Sequence, residues 1–335
     1  MIKSHYHLPI QISLLGLGQV GAKVITHLQQ SEGDIPNLHT IELCQDKSLL
    51  QSTSAHTSLY LEPSLLENVN DCSNDKQTLL DSVHQKLSNV LDKGHVTLIL
   101  VNAQDEYLSA LANYAAQLSS SLGCLTLGIC FKREGSSRIL PQMQINALHS
   151  TFEVSFTGIN EAVQGESIEE QCSHITGLIA MFETLSKKDI VTFNLPTLHM
   201  LLTRYKDRQF ISCTITHHTR DEVELTQKLL AQDFTEIPLS SIDFLWVEIH
   251  SNDHLTLQKA NDIVTYLVEK ISPRPEVVFG IEHDHARFID DQVSLSIFAI
   301  LNPQSELIPH PSTSLAHSRR VKTIPYRARV RKHKV

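Results

Sequence analysis

From residue 10 the chain alternates short apolar runs with longer stretches in which apolar residues recur every three or four positions. Residues 10–17 (Ile-Gln-Ile-Ser-Leu-Leu-Gly-Leu) predict a buried strand, and residues 18–30, with Val20, Val24, Ile25 and Leu28 on one side, predict a helix. Leu38–Cys44 predicts a second strand. Residues 51–76 are rich in Ser, Asn and Asp and predict mainly loop. Gln77–Leu91 places Leu79, Leu80, Val83, Leu87, Val90 and Leu91 at helical spacing. Val96–Val101 then predicts a strand, Tyr107–Leu122 a helix and Cys124–Phe131 another strand. Such alternation predicts an α/β, doubly wound, Rossmann-like N-terminal domain whose mostly parallel sheet is covered on both faces.

Further along, Glu134–His149 and Asn160–Leu185 predict helices, separated by a short strand at Phe152–Thr157. The part of the second helix from Glu166 onward is long enough to be a connecting core helix. After it the pattern changes. Gln209–Thr216 and Ser241–His250 predict strands, Leu255–Ile271 a helix, and Glu276–Ile281 and Gln292–Leu301 further strands. Strands joined without intervening helices predict an α+β domain with some antiparallel pairing. The expected division is 1–165, 166–208, 209–301 and a tail at 302–335.

Composition changes this picture little, and charge changes it more. With 41% hydrophobic and 19% charged residues the chain reads as globular, and its apolar runs are of strand length, too short for a membrane helix. The first dozen residues lack a secretory signal, and six cysteines without a Cys-x-x-Cys pair point to reduced thiols, so a cytoplasmic location is expected. Residues 318–335 carry eight of the 28 Lys and Arg (Arg319, Arg320, Lys322, Arg327, Arg329, Arg331, Lys332, Lys334) and no acid. The 20 left upstream face 37 acidic residues, which puts the body near −17 and the tail near +8. An acidic body argues against nucleic acid as a partner, and the tail suits an anionic membrane or an acidic protein.

Among the 19 histidines, His217-His218 and His283-Asp284-His285 are the densest groups. Adjacent strand residues point to opposite faces, and the second group lies in a predicted turn, so no metal site is expected. No Gly-x-Ser-x-Gly elbow supports a serine nucleophile. The lone Trp246 lies in a strand and is expected in the core.

Gly16-Leu17-Gly18-Gln19-Val20-Gly21 follows a predicted strand and opens a predicted helix. Glycine permits the tight turn and close approach of backbone N–H groups to a phosphate, whose charge the helix N-terminus favours. Glu42, 21 positions after Gly21, has the spacing of an acid that bonds ribose hydroxyls, so one reading is an NAD(P)-dependent oxidoreductase. A plain structural turn, in which glycine lets strand and helix pack closely, is the other local reading.

Other segments point elsewhere. Leu122-Gly123-Cys124-Leu125-Thr126-Leu127-Gly128 resembles a Leu-Gly-Ala-Leu-Thr-Val-Gly strand, and Glu134-Gly135-x-x-Arg138 matches Glu-Gly-x-x-Arg. Asp253-His254-Leu255-Thr256-Leu257 leads into a helix with Asn261. Pro275-Glu276-Val277-Val278-Phe279-Gly280 resembles an Ile-Ile-Phe-Gly strand and is followed by Asp290-Asp291 and the strand Val293–Ile300. In order and spacing, residues 10–301 resemble the FtsZ/tubulin superfamily of filament-forming GTPases. The resemblance implies GTP or GDP as ligand, with contacts from Gly16, Gly18, Gln19, Gly21, Asp46, Glu134, Arg138 and Asn160.

Two of that family's motifs are altered. Its Gly-Gly-Gly-Thr-Gly-Thr-Gly loop presents consecutive N–H donors to phosphate. The matching loop here, Asn102-Ala103-Gln104-Asp105-Glu106-Tyr107-Leu108-Ser109-Ala110, has no glycine and two carboxylates. The family's Asn-x-Asp-x-x-Asp loop positions the attacking water. In Thr192-Phe193-Asn194-Leu195-Pro196-Thr197 both acids are replaced by neutral side chains. The expectation is an FtsZ-like protein with lost or reduced GTP hydrolysis and no catalytic residue. It would be a cytoskeletal or interaction protein in cell division or membrane remodelling, partnered by FtsZ or itself. It would lie in the cytoplasm or peripherally at the membrane or division site. Thr323-Ile324-Pro325-Tyr326-Arg327 faintly echoes the terminal peptide by which FtsZ binds membrane-tethering partners. A divergent, filament-forming GTPase is the alternative.

Overall fold

The computed structural model describes residues 9–44, 54–60, 84–92, 94–102, 105–133, 154–161, 168–185, 194–205, 208–218, 224, 226–227, 241–251, 255–271, 273–283 and 292–301. In chain order these form β1 (Ile12–Leu17), α1 (Gly18–Glu32), β2 (Leu38–Cys44), β3 (Thr57–Tyr60), α2 (84–91), β4 (Val96–Asn102), α3 (Glu106–Ser121) and β5 (Leu125–Arg133). There follow β6 (Val154–Glu161), α4 (Ile168–Thr184), α5 (Leu195–Thr203), β7 (Arg208–His218), β8 (Ile242–Ser251), α6 (Leu257–Lys270), β9 (Glu276–His283) and β10 (Gln292–Leu301).

All ten strands form one sheet, ordered β3-β2-β1-β4-β5-β6-β7-β10-β8-β9. From β3 to β7 every pair is parallel. β10 runs antiparallel to both β7 and β8, and β9 lies parallel to β8. The strand order reverses between β1 and β4, which makes the carboxyl ends of those two strands the topological switch point of the parallel half.

Period-two alternation assigns the faces. Ile12 and Leu14 of β1 and Val96, Leu98 and Leu100 of β4 join Val24, Ile25 and Leu28 of α1 in one buried cluster. Leu15 and Leu17, with Ile99 and Val101, face the opposite way against α2 and α3. Because both faces are covered, these strands read as continuous apolar runs instead of alternating ones. The α1-side cluster continues through α4 into the other half of the sheet, where Phe182 meets Trp246 edge-on at 5.6 Å and Phe210 stacks on Phe298 at 4.6 Å. The opposite face of β8 and β10 packs on α6 through Leu245, Val247, Ile249, Leu295 and Ile297.

Beyond Trp246 the α4-side face turns polar while staying buried. Ser296, Glu248 and Gly280 stand side by side across β10, β8 and β9, and Ser294, His250 and Glu282 form the next row. The indole N–H of Trp246 donates to Glu248 Oε1 at 2.6 Å, and His250 Nδ1 lies 2.9 Å from Glu282 Oε2. A Cβ on Gly280 would collide with both Glu248 carboxylate oxygens, so the glycine makes room for the acid.

Three sequence expectations are corrected. β3 lies inside the stretch read as loop. Asn160 and Glu161 belong to β6, not to a helix, because β5 captures them in register opposite Lys132 and Arg133; the described helix starts at Ile168. The helix α5 was not foreseen. The helix expected at Glu134–His149 lies outside the described residues. No helix among the described residues is long and apolar enough to cross a membrane.

Candidate functional site

No residue separates β1 from α1. Leu17 is extended, at φ −103° and ψ 123°, and Gly18 turns the chain at φ +66°, a conformation that costs a residue with a side chain about 1 kcal/mol or more. Gly16 and Gly21 serve a different need. A Cβ on Gly21 would lie 2.5 Å from the Gly16 backbone, and one on Gly16 would lie 2.7 Å from Ile25 Cδ1 and 2.8 Å from the Gly21 carbonyl carbon. The end of the strand and the first helical turn therefore touch, and only glycine fits on either side. The N-terminus of α1 has no side-chain cap and no acid in its first turn, and Gln19 is exposed there.

Across the switch point, the turn after β4 is built differently. Asp105 caps α3: its carboxylate accepts the Leu108 amide hydrogen at 3.0 Å, and its own carbonyl accepts that of Ser109 at 2.9 Å. A first-turn donor that a phosphate would need is already used, by an anion. The capped turn also aims Leu108 into the core, where it is 7% exposed and joins Leu15, Leu17, Ile99 and Val101. Leu108 Cδ1 sits 2.6 Å from where a Gly18 Cβ would be. The first turns of α1 and α3 thus touch each other, with Leu108 packed against Gly18. The cap was readable as an Asp ahead of an apolar-periodic run; the meeting of Leu108 with Gly18, 90 positions apart, had no local signal.

Of the other sequence candidates, Asp46, Glu134 and Arg138 lie outside the described residues. Asn160 stands on β6 opposite Lys132. Glu42 pairs in register with Gly16 but is only 1% exposed, and neither carboxylate oxygen has a hydrogen-bond partner among the described residues. Its carboxylate is closed off from the solvent side of the crevice, where a ribose would lie.

Asn194 and Thr197, in the segment matched to the water-positioning loop, have a structural task. Asn194 caps α5, its side-chain oxygen accepting the Thr197 amide at 2.9 Å and the Thr197 hydroxyl at 2.7 Å, with Pro196 in the first turn. The far end of α5 is tied to β9: Arg204 Nη1 bonds Glu276 Oε2 at 3.2 Å, and the Tyr205 hydroxyl donates to the same oxygen at 3.0 Å. Burial, then that hydrogen bond and the charges of Glu276 and Asp243, push the Tyr205 hydroxyl up to about 12.

No family model matches the sequence, and no curated protein does. Solved structures do match. An FtsZ mutant of M. jannaschii is 14% identical, with a TM-score of 0.66 over 87% of this chain and 91% of that one. CetZ from Methanosaeta thermophila is 10% identical, with a TM-score of 0.62 over 87% and 86%. TubZ of Bacillus thuringiensis serovar israelensis, in a GTPγS-form protofilament, is 14% identical, with a TM-score of 0.65 over 88% and 87%. Sheet order, glycine turn and these likenesses agree that the chain has the fold of the FtsZ/tubulin superfamily.

Proposed function

We propose that this chain is an FtsZ/tubulin-fold protein that no longer hydrolyses GTP and works by assembly, with copies of itself or with another protein of the same fold. One observation carries this reading: the Asp105 carboxylate takes a first-turn amide hydrogen of α3 that a nucleotide phosphate would use, next to Leu108 packed against Gly18. An exposed carboxylate such as Asp105 close to a triphosphate opposes binding by about 1 kcal/mol per solvated charge pair. The cap that Asn194 forms on Thr197 agrees with it, since neither side chain can act as a base. Assembly is supported by the TubZ neighbours, one of which forms a four-stranded filament. A tail carrying eight basic residues and no acid suits docking onto an anionic membrane or an acidic protein. Residues that would meet a nucleotide, if one still enters, are Gly16, Gly18, Gln19 and Gly21 with Asp46, Glu134, Arg138 and Asn160.

Titrating the purified protein with fluorescent GTP, GDP and NAD(P) analogues, alongside phosphate release and light scattering, tests the proposal. Scattering that rises with protein concentration and ignores GTP is the expected result. Micromolar GTP affinity with steady phosphate release would instead establish a divergent GTPase, and tight NAD(P) binding would establish the oxidoreductase reading.

A further inference from the structure

The edge of the sheet is fastened by an acceptor that exists only on a neutral imidazole. His56 immediately precedes β3, and its Nδ1 receives the backbone N–H of Thr40, on β2, at 3.1 Å. A main-chain amide can only donate, so Nδ1 must carry a lone pair, and the Thr40 hydroxyl at 2.7 Å donates to it as well. That hydroxyl oxygen in turn receives the backbone N–H of His56 at 3.0 Å and the side-chain amide of Gln29 at 3.1 Å. Thr40 is fully buried, so water cannot replace a lost partner cheaply.

The ionisable groups around this fastening lie on each element packed against it. Asp34, in the turn after α1, sits 3.4 Å from His56 Nε2. The ring of His39, on β2, lies 5.3 Å away centroid to centroid and is itself bonded to Thr57. Glu42 follows Thr40 on the same face of β2, paired with Ser58.

We propose that His56 is a proton-sensitive clasp on the β3 edge. A proton taken up at Nδ1 turns the acceptor into a donor facing the Thr40 amide, so that bond breaks, and the Thr40 hydroxyl can keep its contact only by giving up a bond from His56 N–H or Gln29. Asp34 stays beside Nε2 in either state. The chain entering β3 is released, and β3, with four residues in register, loosens from β2. None of this depends on what the crevice binds.

Backbone amide exchange, corrected for its intrinsic pH dependence, reads the clasp directly. Protection of the Thr40 amide is expected to fall about five-fold or more between pH 7.5 and 5.5, the worth of one hydrogen bond. In His56→Asn, whose side-chain oxygen accepts at every pH, protection stays level while the effects of the other histidines remain. An equal fall in His56→Asn, or no fall in the unaltered protein, overturns the proposal. Should the variant not fold, imidazole nitrogen shifts of the unaltered chain serve instead. Nδ1 of His56 and the Thr40 amide must then move with one midpoint, and independent movement overturns the clasp.

Discussion

Glu42 stands where a carboxylate is hardest to keep, under α1 with neither oxygen bonded among the described residues. Desolvating an unpartnered acid costs several kcal/mol. Glu42→Met, similar in length and apolar, is expected to stabilise the fold by about 1–3 kcal/mol, read as a higher urea midpoint at unchanged slope. A lower midpoint would show that the acid has a role the described contacts do not reveal. The glycines pull the other way. Gly21→Ala drives a methyl into the Gly16 backbone and is expected to cost about 1–3 kcal/mol by the same measurement. Tyr205 offers a pH signature. Its folded value lies above the ordinary 10, so the contribution of its neutral hydroxyl is complete below pH 10 and is lost as the pH rises through about 12. Ultraviolet titration should show a late tyrosine ionisation that vanishes in Tyr205→Phe.

Helices α3 and α5 each begin on a side-chain cap. Asp105→Ala and Asn194→Ala are each expected to lower stability by about 1 kcal/mol, as a fall in thermal midpoint. A larger loss at Asp105 would mean that the cap also holds Leu108 in the core. Most elements were legible because two-sided burial leaves long apolar runs, as in β1, β4 and β8. β3 was not: Thr57–Tyr60 is half-buried throughout, and its place comes from pairing with β2. α5 carried its own start signal in Asn194 and Pro196, yet its first residues were read as part of a loop matched by motif. In the crevice, the glycine turn was legible because backbone geometry dictates residue type locally. The packing of Leu108 on Gly18 was not, since the two meet only once β1 and β4 are neighbours.

At the scale of the molecule, one apolar cluster crosses from α1 through α4 to Trp246 and Phe298, so the two halves of the sheet share a core. Trp246 is the lone tryptophan and is fully buried on that shared surface. Its fluorescence and the far-ultraviolet circular dichroism are expected to give coincident urea transitions. Separate midpoints would mean that the halves unfold independently. The same tryptophan leads to Gly280, whose missing side chain houses the Glu248 carboxylate that the indole bonds. That arrangement makes the order of mutations matter. An alanine arriving first at 280 meets the acid and is rejected, whereas it becomes tolerable once Glu248 has shortened. Shortening Glu248 first removes the acceptor that the indole N–H uses. Positions 246, 248 and 280 are therefore bound by epistasis, and divergence within this fold is expected to change them together or leave all three alone.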